Sequence, residues 1–149
     1  MSGESGDGVF GRLAKKFRRS GGSTRALSVE DSDLVVVVRS DDDAVASSTV
    51  LDSVGFESAS KVVLRHLIAL PASAVESATA SAALAGYVAT DILADDPTVE
   101  PPLVPVALSR VQRVDARTVS QERSRVASLA SRNGGVGLGW AVLAAPPDR

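Results

Sequence analysis

Strand-like and helix-like segments follow one another in a definite order from residue 33 onward, and that order limits the fold. Five segments are apolar, rich in β-branched residues and of strand length, and three carry apolar residues at helical spacing. The predicted strands are residues 34–39, 61–70, 87–94, 103–114 and 136–144, and the predicted helices are residues 40–54, 73–85 and 115–132. The resulting order is β-α-β-α-β-β-α-β.

Local signals predict where the helices begin. The patterns Ser-x-x-Asp at residues 40–43 and Ser-x-x-Glu at residues 73–76 have the form of capping boxes, in which the serine bonds the first helical turn. Asp115 or Thr118 is predicted to cap the third helix. The aspartates at residues 41–43 also raise the alternative of a metal site, but helix capping accounts for them and no second ligand cluster is near in sequence.

Without its first strand and helix, the chain reads β-α-β-β-α-β, which is the ferredoxin-like split βαβ arrangement. We therefore predict an α+β protein with a flexible basic arm at residues 1–30, an additional strand-helix unit at residues 31–60 and a ferredoxin-like domain at residues 61–149. The extra strand is expected to extend the sheet at an edge. Helices are expected to cover one sheet face, and the other face must be polar, paired with a partner or covered by something else.

The formal net charge of −2 conceals a strong asymmetry along the chain. Residues 1–27 carry a charge of +4, and the remainder carries −6. Between two Gly/Ser-rich stretches, residues 9–19 place three apolar residues on one helical stripe and basic residues on the other face. The basic side chains of this arm are Arg12, Lys15, Lys16, Arg18 and Arg19. They predict attraction to nucleic acid or an anionic membrane, and the alternative is a solvated tail.

Residue types exclude several kinds of catalytic site. The chain has no cysteine, so disulfides, thiolate metal sites and cysteine nucleophiles are excluded. Its one histidine, His66, lies in the middle of a predicted strand, where a buried structural role is favoured over acid–base chemistry. The glycines of residues 135–139 enter a strand rather than opening a helix, so they favour close backbone approach or a bulge over nucleotide binding. We expect no catalytic residue, no metal and no cofactor.

An RNA-recognition surface is also disfavoured. Domains of this shape stack bases on aromatic side chains of their central strands, and residues 61–70 and 103–114 contain no Phe, Tyr or Trp. The region of residues 110–132 is locally basic, which permits contact with phosphate or an acidic partner. A solvated helix face is the favoured interpretation. The arginines of this region are Arg110, Arg113, Arg117, Arg123, Arg125 and Arg132.

Several motifs resemble the "regulator of ribonuclease E activity B" family. The stretch at residues 64–73 leads into an Ala-rich helix that ends Ala-Gly-Tyr87. Asp115 and Ala116 open a later helix, which ends Asn-Gly-Gly135 and is followed by Gly-Trp140. The match covers residues 61–145, and Gly-Leu138 stands where the family pattern has a Tyr-Asp pair.

The resemblance implies a small non-enzymatic protein that binds ribonuclease E or its scaffold region and restrains RNA decay. An acidic body suits docking on a basic, disordered segment of such a partner. Candidate partner-binding residues are Trp140, Tyr87, Arg110 and Arg113, with burial in the core favoured for at least one of the two aromatic residues. The alternative function is an adaptor tethered to a membrane or nucleic acid by the basic arm, and the open sheet face also permits a homodimer.

The sequence also carries signals about location and origin. We find no secretory signal and no apolar run of transmembrane length, so the expected compartment is the cytoplasm. Arginine far outnumbers lysine, and alanine and valine are abundant, which is typical of a GC-rich bacterial genome.

Overall fold

The computed structural model describes residues 26–42, 44–57 and 60–147. Within these ranges the chain forms five strands, three α-helices and one short 3₁₀ helix. In chain order they are β1 (Val35–Ser40), α1 (Ser47–Asp52), β2 (Val62–Pro71), the 3₁₀ helix (Ala72–Ala74), α2 (Val75–Leu84), β3 (Val88–Thr90), β4 (Leu103–Gln112), α3 (Ala116–Arg132) and β5 (Val136–Ala144). All of them lie in Ser28–Pro146, one of the two compact units of the chain.

The strands of the described ranges form one five-stranded sheet in the order β1-β5-β2-β4-β3. Every neighbouring pair is antiparallel. The predicted α+β class is therefore confirmed, and β1 lies at the expected edge position beside β5. The long central strand β2 is paired along its length with both β4 and β5, which explains why its residues are almost uniformly buried.

All three helices pack on one face of the sheet, here called the helix face. Alternate residues of β2, such as Leu64 and Ile68, point to this face and are fully buried. Around Ile68 the core is completed by α2 and α3, and around Leu64 it is completed by α1, α3 and β5. The predicted apolar stripe of α3 is confirmed, since its members Val119, Val126, Leu129 and Ala130 are all buried. Asp115 caps α3 by accepting a hydrogen bond from the Thr118 backbone N–H at 2.8 Å.

The predicted capping box at residues 40–43 is wrong. Ser40 is the last residue of β1, and its hydroxyl bonds the backbone of Asp42 inside a turn. Helix α1 begins later, at Ser47, after Ala46, which makes no side-chain cap. The Asp42 carboxylate instead accepts from the Ala44 N–H, so a local turn competes with helix initiation there.

The predicted capping box at residues 73–76 is also wrong. Ser73 lies inside a 3₁₀ turn that follows β2 directly, and α2 begins at Val75 with no side-chain cap. A capping residue must precede the helix in an extended conformation, and Ser73 is already in a helical turn. The strand predicted at residues 87–94 is shorter than expected, because the chain leaves the sheet edge after Thr90.

Glycines before and within β5 allow the close approach that the sequence predicts. A side chain at Gly135 would overlap the backbone of Ala69, and one at Gly139 would overlap the backbone of Ser40. Gly137 differs, since its nearest neighbour would be the Ala127 methyl group at 4.0 Å. The pairing of β5 with β2 also shifts register between Leu67 and Ile68, as expected of a bulge.

Candidate functional site

The face of the sheet opposite the helices holds a cavity with a volume of about 490 Å³. Its floor consists of the sheet residues Val63, Arg65, Ser109 and Leu143. One wall is the segment that precedes β1, and the other is the chain that leaves β3. The residues of these walls are Val29, Glu30, Asp31, Ser32, Leu34, Ala89, Thr90, Asp91 and Leu93. We call this feature the cleft.

A buried ion pair fixes the loop on one side of the cleft. Arg65 of β2 donates to both carboxylate oxygens of Asp96, at 2.9 and 2.5 Å, and to the Asp91 carbonyl at 3.2 Å. Arg39 of β1 donates to the same carboxylate at 2.8 Å. The side chains of Arg65 and Asp96 are 4% and 1% exposed. This sheet face is therefore covered in part by the chain itself, one of the alternatives that the sequence left open.

Burial and hydrogen bonding act in opposite directions on Asp96. Burial raises the pKa of this carboxyl group, because the charged form loses hydration. The hydrogen bonds from Arg65, from the Leu93 backbone and from Arg39, together with the charge of Arg65, outweigh burial and leave the pKa below its ordinary value. Asp96 is thus a fixed anion that holds the 91–96 loop against the sheet.

The floor of the cleft combines the apolar Val63 and Leu143 with the polar Arg65 and Ser109, and its edges are polar and acidic. Thr90 Oγ1 and Ser109 Oγ lie 2.9 Å apart and share a hydrogen bond. Glu30, Asp31 and Asp91 border the opening, and we call these three residues the acidic rim. Asp31 also accepts a hydrogen bond from the Ser28 backbone, which orders the segment that precedes β1. The arrangement suits a ligand that is cationic at its surface and apolar where it enters the floor.

His66 lies on the helix face, away from the cleft. It is 2% exposed, and its ring meets the Tyr87 ring edge-on, with 5.5 Å between centroids. Burial, with the nearby charges of Arg110 and Arg123, lowers the pKa of His66 to about 3. At neutral pH the imidazole is therefore uncharged, and its Nε2 lies 3.4 Å from the Tyr87 hydroxyl.

Glu122 of α3 is the centre of a polar cluster that sequence reasoning missed. Its carboxylate accepts a hydrogen bond from the Tyr87 hydroxyl at 2.5 Å and faces Arg125 at 3.2 Å and Arg110 at 3.6 Å. Burial, and then this hydrogen bond to Glu122, raise the pKa of Tyr87 above its ordinary value, so the hydroxyl remains a donor. A signal was present in the sequence, because Glu122 falls on the same helical stripe as Val119 and Val126.

The burial of His66 predicts a specific pH dependence of stability. The pKa of His66 is lower in the folded chain than in the unfolded chain. Between these two pKa values only the unfolded chain binds the proton, so the free energy of unfolding decreases as pH falls. From pH 7 to pH 5 we expect this group to remove about 2 kcal/mol from the free energy of unfolding. Urea titrations of wild type and of the His66→Leu variant at both pH values measure the effect. An equal pH dependence in the two proteins would contradict the prediction.

The two candidate aromatic residues lie in different parts of the core. Tyr87 belongs to the cluster around Ile68, and Trp140 belongs to the cluster around Leu64. Both side chains are 3% exposed. This agrees with the burial in the core that the sequence favoured for at least one of them. Arg123 lies over the Trp140 ring, with its Cζ 5.9 Å from the centroid. Contact of either ring with a partner remains a prediction.

The remaining candidate residues are placed differently. Arg110 packs over the Tyr87 ring at 5.0 Å and donates to the Ala85 carbonyl at 2.7 Å, so the structure brings these two candidates together. Arg113 is exposed after the end of β4. The basic arm residues Arg12, Lys15, Lys16, Arg18 and Arg19 lie outside the described residues.

Two other features are absent from the described residues. No group of three or more His, Cys, Asp or Glu side chains there is arranged to hold a metal ion. No helix within residues 26–42, 44–57 and 60–147 is long and apolar enough to cross a membrane.

Comparison with known proteins does not place the chain in a family. No family model, no curated protein and no solved structure matches it.

Proposed function

We propose that this protein is a non-enzymatic, protein-binding regulator whose cleft holds a basic segment of its partner. The observation that carries the proposal is the acidic rim over a floor that holds two apolar side chains beside Arg65 and Ser109. The rim attracts Lys and Arg side chains, and the floor, which includes Val63 and Leu143, accepts an apolar side chain. A cytoplasmic partner from the RNA-processing machinery, with ribonuclease E as the first candidate, follows from the motif resemblance.

The sheet order supports a ferredoxin-like arrangement for residues 61–149. The four strands β5-β2-β4-β3 are mutually antiparallel neighbours, and each of the crossover connections β2-α2-β3 and β4-α3-β5 spans one intervening strand. In this arrangement β1 and α1 are additions at one edge. The cleft is partly built by this addition, because its first wall is the segment that leads into β1.

Binding to purified ribonuclease E tests the proposal. We expect the full chain to bind the enzyme, to slow its cleavage of RNA and to bind less tightly as salt is raised. The double variant Glu30→Gln with Asp91→Asn should weaken binding by about threefold to tenfold, since it removes two rim charges. Surface plasmon resonance measures the affinity, and a cleavage assay measures inhibition.

A matched variant separates the cleft from overall charge. Asp52→Asn with Glu57→Gln removes the same charge from exposed positions that do not line the cleft. We expect it to bind as wild type does. Equal weakening by both double variants, or no binding of ribonuclease E by the wild type, would refute the assignment.

A second candidate function is an adaptor tethered to an anionic membrane or nucleic acid. The charge asymmetry favours it, since residues 1–27 carry +4 and the rest of the chain carries −6. Each basic side chain near an anionic surface contributes about 1 kcal/mol. Cosedimentation with anionic vesicles, and RNA binding at low salt, should then be lost when residues 1–27 are removed. Retention of both would reject this candidate.

A further inference from the structure

The outward face of α3 carries positive charges and hydroxyl groups and no negative charge within residues 116–132. Two rows of exposed side chains run along it at helical spacing, one of arginines with a glutamine and one of serines. The three arginines span about 22 Å along the helix axis, so each can meet a separate anionic group. We call this surface the arginine face, and its members are Arg117, Gln121, Arg125 and Arg132 in the first row and Ser124, Ser128 and Ser131 in the second.

Folding removes the acidic side chain of α3 from this surface. Glu122 is the single acidic residue of the helix, and it is buried with its carboxylate bonded to the Tyr87 hydroxyl. Arg123 also turns away from the outward face and donates to the Ser47 hydroxyl of α1 at 2.9 Å. Arg125 keeps its contact with Glu122, but its side chain is 60% exposed. The arginine face is therefore more strongly basic than its sequence composition indicates.

The acidic groups of the chain do not cancel this positive surface. The cleft with its acidic rim lies on the sheet face opposite the helices, so the sheet and α3 itself separate it from the arginine face. A helix is about 10 Å across, and charges in physiological salt are largely screened beyond about 8 Å. The neighbouring helices α1 and α2 carry one acidic residue each, Asp52 and Glu76. Asp115 precedes Arg117, but its carboxylate is bonded to the Thr118 backbone as the helix cap.

The make-up of the arginine face indicates the class of its ligand. Protein interfaces centre on aromatic and other large apolar side chains, and the exposed apolar residue of α3 is Ala127. Membrane-bound helices insert an apolar stripe, but the apolar stripe of α3 is buried against the sheet. Arginine, serine and glutamine are side chains that contact the phosphates and sugars of nucleic acids. Because α3 has no aromatic ring on which an unpaired base could stack, a duplex is favoured over a single strand.

We infer that the arginine face binds double-stranded RNA through its sugar-phosphate backbone, without reading its sequence. The arginines contact phosphates, and the serine row contacts the 2′-hydroxyls that line the wide, shallow minor groove of an RNA duplex. A DNA duplex has the phosphates but lacks the 2′-hydroxyls, so it binds more weakly. The arginine face and the cleft lie on opposite faces of the sheet, and the inference does not rest on the proposed function.

Binding to short duplexes tests the inference. The probe is a fluorescent RNA duplex of about 20 base pairs, titrated with the full chain at about 50 mM salt and followed by anisotropy. We expect a second RNA duplex of unrelated sequence to bind within about twofold of the first, and a DNA duplex to bind about threefold or more weakly. No binding of RNA, or equal binding of the DNA duplex, would overturn the inference. Tighter binding of a polyglutamate peptide or of anionic vesicles than of RNA would do the same.

Variants of the full chain locate the RNA-binding surface. The triple variant Arg117→Gln, Arg125→Gln and Arg132→Gln should weaken RNA binding by about tenfold or more, and should lower the slope of log affinity against log salt by about two to three. Lysine at the same three positions keeps the charges and should keep most of that slope. Urea denaturation verifies that each variant is folded.

A matched variant distinguishes α3 from the basic arm. Arg12→Gln, Lys15→Gln and Arg18→Gln remove the same charge from residues 1–27 and leave the arginine face intact. This variant should lose less affinity for RNA, and less of the salt dependence, than the variant of α3. An equal or larger loss in the arm variant would overturn the inference, as would an unchanged salt dependence in the glutamine variant of α3.

Discussion

Replacing Asp96 with alanine is expected to lower the free energy of unfolding by about 3–5 kcal/mol. The carboxylate is the partner of the buried Arg65 guanidinium and also accepts from Arg39 and the Leu93 backbone. Without it, Arg65 remains buried with its charge uncompensated, which is far more costly than losing an exposed pair. The 91–96 loop would lose its attachment to the sheet, so the cleft would lose one wall.

Urea denaturation followed by the fluorescence of Trp140, the single tryptophan, measures this loss. Asp95→Ala, at the exposed neighbouring position, is the control and should change stability by less than about 0.5 kcal/mol. The double variant Arg65→Met with Asp96→Leu should recover much of the loss, because an apolar pair replaces the ion pair without leaving a buried charge. Similar effects of Asp95→Ala and Asp96→Ala would contradict the role of the pair.

The same carboxylate contributes to stability in a pH window set by its lowered pKa. A carboxyl group whose pKa is lower in the folded chain than in the unfolded chain stabilises the fold at pH values above its unfolded pKa. Its contribution is then lost as pH falls through the folded pKa. The stability of Asp96→Ala should consequently depend less on pH than that of the wild type in the acid range below the ordinary aspartate pKa.

Replacing Glu122 with alanine is expected to cost about 3 kcal/mol of stability. The Tyr87 hydroxyl, buried in the core, would lose its acceptor, and Arg110 would lose its nearby anion. The contact with Arg125 adds little, because that side chain is 60% exposed and screened by water.

A conservative change separates the contributions of Glu122. Glu122→Gln keeps an oxygen that can accept from Tyr87 but removes the charge, so it should cost less than Glu122→Ala. Glu76→Ala, at an exposed position of α2, is the control for removal of a helical glutamate. Urea denaturation measures the free energy of unfolding of Glu122→Ala, Glu122→Gln and Glu76→Ala. If Glu122→Ala cost no more than Glu76→Ala, the buried cluster would not contribute to stability.

The three helix starts show where a local capping signal is sufficient and where it is not. Asp115 caps α3, as one of the two sequence alternatives had it. Ser40 and Ser73 carry equally good capping patterns, but neither caps a helix. At both places the preceding strand sets where the chain goes next: β1 ends at Ser40 in a turn, and β2 leads directly into a 3₁₀ helix.

The cleft lay beyond the reach of sequence reasoning for a different reason. Arg65 and Asp96 are 31 positions apart, and nothing in the pattern around either residue indicates a partner. The sequence places Asp96 in the loop between two predicted strands and Arg65 within a strand. Only the approach of that loop to the sheet makes them a buried pair. Glu122 was closer to being predictable, since its position on the apolar stripe of α3 marked it as buried.

By itself, the sequence determined the order of strands and helices, the extent of β5 and the buried stripe of α3, because apolar periodicity reports directly which side of an element leaves water. It also determined the charge asymmetry on which the proposed partners depend. The tertiary structure alone decided which loop covers the second sheet face, which charges are buried together and which strand edge remains open. These features arise between residues far apart in sequence, whose meeting depends on the packing of the whole sheet and not on any local preference.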